Sequence, residues 1–262
     1  MDNEEMNFWD HVDVLRGVLL RSGAMVLVAA AVLFIFMGDI FDAVILAPCR
    51  PDFPLYRLFG HLQGLGPFAP DGAGGDFHVD LINIRLASQF FIHMSTSCWL
   101  AVILSFPFII YQLWGFIAPA LYPHERRNAS AAFFWGNLMF YVGIAVGYFL
   151  VFPLTLRFLA DYRLSESIPN TITIESYMDN FLLLTLLMGC VFELPLLAWM
   201  LGKTGLLTRG FFNRYRRHAI VALLIVAAII TPTSDPFTLF VVFLPIFMLW
   251  EGSATLVPRD KH

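Results

Sequence analysis

The stretch "LLLTLLMGCVFELPLLAWML", Leu182–Leu201, decides how this chain folds. About 20 predominantly apolar residues suffice to carry an α-helix across ~30 Å of hydrocarbon. This run has that length, so it reads as a membrane span. Yet Glu193 lies past its middle, and Pro195 follows two positions on. An ionisable side chain near the bilayer centre costs ~2.5–3.5 kcal/mol on insertion scales, so Glu193 is expected to face protein or a wet cavity. Pro195 has no N–H and leaves the carbonyl of Val191 without its helical donor. Two readings of Glu193 stand at this point. One is a neutral acid, hydrogen-bonded within the chain, that fixes packing. The other is a polar point that meets something else inside the membrane.

The rest of the chain agrees with a bilayer setting. Of 262 residues, 58% are hydrophobic and 14% charged, with mean hydropathy +0.72 and 27 phenylalanines. Soluble domains carry ~45–50% apolar and ~25% charged residues. The expected class is all-α, a polytopic membrane protein folded as one domain over residues 1–262, because no Pro/Ser/Gly linker divides the apolar segments. Six spans are expected at Gly17–Leu46, Ala87–Trp114, Ala131–Leu156, Tyr177–Leu201, His218–Ile230 and Phe237–Trp250. The last two cover 13 and 14 residues. At ~1.5 Å per residue they reach only about 20 Å and would thin the bilayer locally.

Lys and Arg concentrate on one set of flanks. These are Arg16 and Arg21, Arg126 and Arg127, Lys203 to Arg217, and Arg259 with Lys261. The other flanks hold Arg50, Arg57, Arg85, Arg157 and Arg163. The positive-inside rule then puts both termini in the cytoplasm, as an even number of spans requires. The acidic start "MDNEEMNFWDHVDVLR" lacks the basic n-region and small-residue cleavage site of a signal peptide. The outward loop between the first two spans contains "FHVDLINIRLASQFF", whose alternation suits either a short strand or an interfacial helix.

Several function classes are excluded by what the sequence lacks. A net charge of −4 gives no footprint for nucleic acid. There is no phosphate-cradling Gly-Lys-Ser/Thr loop, and "PDGAGGDF" follows no strand and reads as a flexible turn. Cys49, Cys98 and Cys190 are odd in number and widely spaced, so they read as packing residues. No metal-ligand spacing and no nucleophile–base pair occurs. The chain is expected to be no enzyme and to need no cofactor or metal.

Four further polar features matter. Asp235, in "TPTSDP", precedes Pro236 and an apolar run, which is a helix-start signal. "FIAPALYPHERR", Phe116–Arg127, carries two prolines that should end the helix and leave Glu125, Arg126 and Arg127 in a surface loop. "WDHVDVLR" adds Asp10, Asp13 and Arg16; Asp13 and Arg16 share a helical face and are placed to pair. His93 with Ser95, Thr96 and Ser97 forms a polar patch in the second span, read first as hydrogen-bonded structure. Gly143 and Gly147 make a small-xxx-small pair that permits close helix approach. Acids at a basic membrane surface suit guanidinium groups, which bind carboxylate in a planar fork that Lys cannot copy.

The stretches "HVDVLR", "FPFIIYQLWGFIAPALYPHERR", "GYFLVFPL", "FELP", "TPTSDPF" and "LWEG" occur in order over roughly Trp9–Glu251. Together they resemble the TatC family, the multispanning receptor subunit of the twin-arginine protein translocase. The resemblance implies a concave six-helix scaffold in the cell inner membrane. It implies binding of the twin-arginine signal peptides of folded proteins, partnership with single-span TatA- and TatB-type subunits, self-association, and transport driven by the proton-motive force. On this resemblance the signal-peptide site comprises Glu125, Asp13, Arg16, Asp10, His11 and Arg126. The intramembrane partner site centres on Glu193, with Thr231, Thr238 and Gln112, and Asp235 is the outer-turn acid. The chain departs from the family at Val14, where a second acid is usual, and at Leu239, where a glutamine is usual. The rival reading is a proton-coupled secondary transporter using Glu193 and His93, although no internal repeat supports it.

Overall fold

The computed structural model describes residues 8–61, 77–117, 123–162, 164–165, 167, 170–203, 207–231 and 235–257, without the side chains of residues 8–11, 59–61, 117 and 123–132. The helices are α1 (Phe8–Ile40), α2 (Pro54–His61), α3 (Ser88–Ile117), α4 (Pro123–Val146), α5 (Phe152–Asp161), α6 (Ile174–Val191), α7 (Leu194–Lys203), α8 (Arg209–Ile230) and α9 (Pro236–Leu256). Two short strands, β1 (Leu81–Ile82) and β2 (Ile172–Thr173), pair in parallel. Five of the described segments are long and apolar enough to cross a membrane: 12–58, 88–116, 133–161, 174–203 and 236–256. The chain is a multi-pass α-helical membrane protein.

The backbone forms two compact units, one from residues up to Met37 with His93–Leu138, the other from Gly38–Ile92 with Met139 onward. In the first unit, much of α1 is exposed and apolar, as a lipid-facing helix requires: Leu27 is 71% and Ile35 76% accessible. Its contact with α3 is polar as well as apolar. The His93 ring nitrogen donates to the carbonyl of Phe34 at 2.8 Å, and the imidazole stacks on the Phe34 ring at 4.0 Å. Ser97 donates to the carbonyl of His93 at 2.8 Å. His93 and Ser97 of the polar patch are therefore hydrogen-bonded structure, whereas the Thr96 hydroxyl is buried without a partner.

The second unit begins where the first span ends. The helix loosens into a π turn at Phe41–Ile45 and closes with a short 3₁₀ turn at Ala47–Cys49. Pro48 cannot donate to Val44, four residues earlier, and the Tyr148 hydroxyl does so instead at 2.7 Å. The Tyr177 hydroxyl serves Ile45, and the Tyr56 hydroxyl serves Pro48 at 2.9 Å. Three tyrosines thus supply the donors that an irregular backbone end lacks, which is required wherever water is scarce. Their rings join the aromatic core: Phe152 meets Tyr177 at 5.1 Å and Phe181 at 5.0 Å.

Gly143 and Gly147 sit where this unit is tightest. A β-carbon at 143 would lie 2.5 Å from the carbonyl oxygen of Met188, and one at 147 would lie 2.9 Å from the α-carbon of Thr185. The small-residue pair does bring the α4 segment onto α6, as its spacing predicts.

Three expectations change. Pro123 opens α4 rather than ending a helix, since proline is well suited to a first helical position. Glu125 to Arg127 are thus helical and not in a loop. The last two helices outrun their apolar cores, at 22 and 21 residues, because basic or polar turns extend them. At ~1.5 Å per residue α9 is about 31 Å long, enough to span. The alternating segment 77–91 resolves into β1 followed by the start of α3.

Candidate functional site

The run quoted at the outset is two helices. α6 ends at Val191, Phe192 and Glu193 form a turn, and α7 starts at Leu194 with Pro195 second. Proline fits the first turn of a helix, so Pro195 starts α7 at the same step in which it interrupts the ladder. The Glu193 N–H donates to Cys190 at 3.2 Å, and its carbonyl accepts from Leu197 at 3.0 Å. The side chain is half-buried, and its Oε1 is enclosed without a hydrogen-bond partner. The internally bonded reading of Glu193 therefore fails at that oxygen.

Neither threonine expected beside it completes a cluster. Thr231 caps the end of α8, and its hydroxyl donates back to Ala228 at 3.4 Å. Thr238 is fully buried with its hydroxyl unpartnered, and its N–H donates to the Asp235 carboxylate at 2.7 Å. Asp235 is the N-cap of α9, as its place before Pro236 predicts. Thr231, Asp235 and Thr238 are thus brought to one end of the α8–α9 pair. Gln112 is half-buried on α3, in the first unit.

In the recognition set, Asp13 and Arg16 are exposed on α1. They do not form the ion pair that their spacing allowed. In solvent such a pair gains little over two freely moving side chains. The backbones of Asp10 and His11 belong to α1, and those of Glu125 and Arg126 to the first turns of α4; their side chains lie outside the described residues.

Sequence reasoning missed two buried groups. Thr185, on α6, is 5% accessible with its hydroxyl unpartnered. Its spacing of four from Gly189, with Glu193 four further on, was the available signal. Arg157, expected on an outward flank, is buried in the middle of α5 between the rings of Tyr56 and Phe77, at 5.6 and 5.3 Å, with Asp161 at 3.7 Å. No group of three or more His, Cys, Asp or Glu residues placed to hold a metal occurs among the described residues.

These features define a class: a multi-pass helical membrane protein with a broken span and a half-buried acid at the break. Comparison with known proteins sharpens this. The family described as "Sec-independent protein translocase protein (TatC)" matches residues 10–245. The TatC proteins of Blattabacterium (strain BPLAN) and Deinococcus radiodurans are 33% and 29% identical, covering 97% and 95% of this chain and 96% and 84% of theirs. A crystal structure of the twin-arginine translocase receptor TatC superposes with a TM-score of 0.71 at 28% identity, over 94% of this chain and 97% of that one. The same receptor crystallised in DDM gives 0.73. The chain belongs to the TatC family and is a Sec-independent protein translocase subunit. That transport role displaces the small-substrate transporter reading, and His93, bound to Phe34, is accounted for by structure.

Proposed function

We propose that this subunit is the signal-peptide receptor of its translocase in the cell inner membrane, acting as one membrane domain with both termini in the cytoplasm. Paired arginines of a signal peptide dock against Glu125, aided by Asp13 and the neighbouring Asp10, with His11, Arg16 and Arg126 shaping the surface around them. Glu193 offers a polar point within the membrane to a single-span partner of the TatA or TatB type, which carries its own polar residue. Folded cargo then crosses at the expense of the proton-motive force.

One observation carries the partner assignment: the enclosed, unpartnered Oε1 of Glu193 at the break between α6 and α7. An acceptor left unmatched in an apolar setting costs about 1–3 kcal/mol, and a rotation of this half-buried side chain that brings the oxygen to a donor on a second helix removes that cost. Docking is supported by the exposure of Asp13 on α1 and by the likeness to the twin-arginine translocase receptor TatC.

The test is site-specific photocrosslinking of a twin-arginine precursor to positions flanking residue 125. The double substitution Glu125→Ala with Asp13→Ala is expected to abolish the crosslink. Undiminished crosslinking in the doubly substituted protein would remove the docking assignment.

A further inference from the structure

The basic half of α8 is the least explained part of the second unit. "RGFFNRYRRH", Arg209–His218, is too charged to be counted among the spanning segments, yet it is helical and packs on α9. Phe211, Tyr215, His218, Ala222 and Leu223 lie on one face of α8, and Trp250 of α9 completes an open groove of about 290 Å³ beside them. Its walls are aromatic and aliphatic. The Phe211 and Tyr215 rings are 4.8 Å apart, and Trp250 meets Phe212 at 4.6 Å.

Cations border this apolar groove. Arg214 lies with its guanidinium 6.0 Å from the Tyr215 ring centre, at the groove's edge. On the other flank Arg216 pairs with Glu251 at 2.6 Å, which neutralises it. Arg209, Arg214 and Arg217 remain as an excess of positive charge on the same half-helix.

An occupant must be apolar along its length and anionic at one end. A hydrocarbon chain fits. Aromatic side chains favour the level of lipid headgroups, and basic pockets between membrane helices hold anionic headgroups. We propose that the α8–α9 groove is a binding site for an anionic diacyl phospholipid. One acyl chain lies along Phe211, Tyr215, Leu223 and Trp250, and the phosphate is held by Arg214. This goes beyond the receptor reading and does not depend on it.

The test measures binding of dioleoyl-phosphatidylglycerol and dioleoyl-phosphatidylcholine to the purified detergent-solubilised chain by native mass spectrometry. Phosphatidylglycerol is expected to bind more tightly. Arg214→Gln should reduce that preference about fivefold, the contribution of one basic residue near an anionic surface. Ala222→Phe, which fills the groove, should weaken both lipids. Arg85→Gln, remote in sequence on the first outward loop, should change neither. Equal binding of the two lipids overturns the proposal, as does a loss at Arg85→Gln matching that at Arg214→Gln, which would report net charge alone. Displacement of the lipid by inorganic phosphate at equal concentration overturns the acyl-chain assignment. Arg214 is exposed, so its substitution decides the matter even where Ala222→Phe impairs folding.

Discussion

Gly143 meets the carbonyl oxygen of Met188 so closely that an added β-carbon would lie 2.5 Å from it. The neighbours at that point are backbone and the β-carbon of Phe192, none of which can turn aside as a flexible side-chain tip would. Gly143→Ala is therefore expected to lower stability by about 1–3 kcal/mol, the usual range for overpacking. Gly115→Ala, on α3 with nothing within 4 Å, is the matched control and should be neutral or slightly stabilising. Thermal unfolding of the detergent-solubilised protein, followed by size-exclusion fluorescence, measures both. Equal midpoints for the two variants would show that the helices part more easily than this packing allows.

Tyr177→Phe removes the donor that serves the buried carbonyl of Ile45 while keeping the ring. A buried acceptor stripped of its partner costs about 1–3 kcal/mol. The same unfolding assay should register that loss, whereas Tyr162→Phe, at a side chain 62% accessible, should leave the midpoint unchanged.

At Asp235 structure and transport can be separated. Removal of an N-cap acceptor typically costs about 0.5–2 kcal/mol, so Asp235→Ala should destabilise the chain. Asp235→Asn retains an oxygen able to accept from the Thr238 N–H and should restore stability. Export of a reporter with a twin-arginine signal in cells carrying the Asn variant then reads any role of the charge itself. Full export there would make Asp235 a cap and nothing more.

Glu193→Leu replaces an acid lacking a partner at one oxygen by an apolar residue of similar size. The chain should be no less stable, because burial of the unmatched group is relieved. Disulfide crosslinking to a single-span partner should fall sharply, while precursor crosslinking near residue 125 persists. Loss of both crosslinks together would return Glu193 to a packing role.

What the sequence discloses of this fold follows from how local each feature is. The spans declare themselves through length and composition. The Asp235 cap is a three-residue pattern, and Gly143 with Gly147 is visible at a spacing of four. The break at Glu193 is signalled by Pro195 alone. The tyrosine anchors are another matter. Tyr177 and Ile45 are 132 positions apart, and nothing local marks a hydroxyl as the donor for a distant carbonyl. Arg157 misleads for a related reason: a cation beside a span reads as a solvated flank unless the loop that covers it is known. The lengths of α8 and α9 were hidden because a hydropathy count stops at the first charged residue, Arg217 for α8 and Glu251 for α9, whereas arginine and glutamate are both good helix formers.

The two-residue ladder between Leu81 and Ile172 and between Ile82 and Thr173 joins parts of the chain that hydropathy would assign to separate outward connections. Those connections are consequently a single module. Chimaeras that exchange one of them between relatives will mismatch its mate, and grafts made at this face must carry residues from both sides of the ladder.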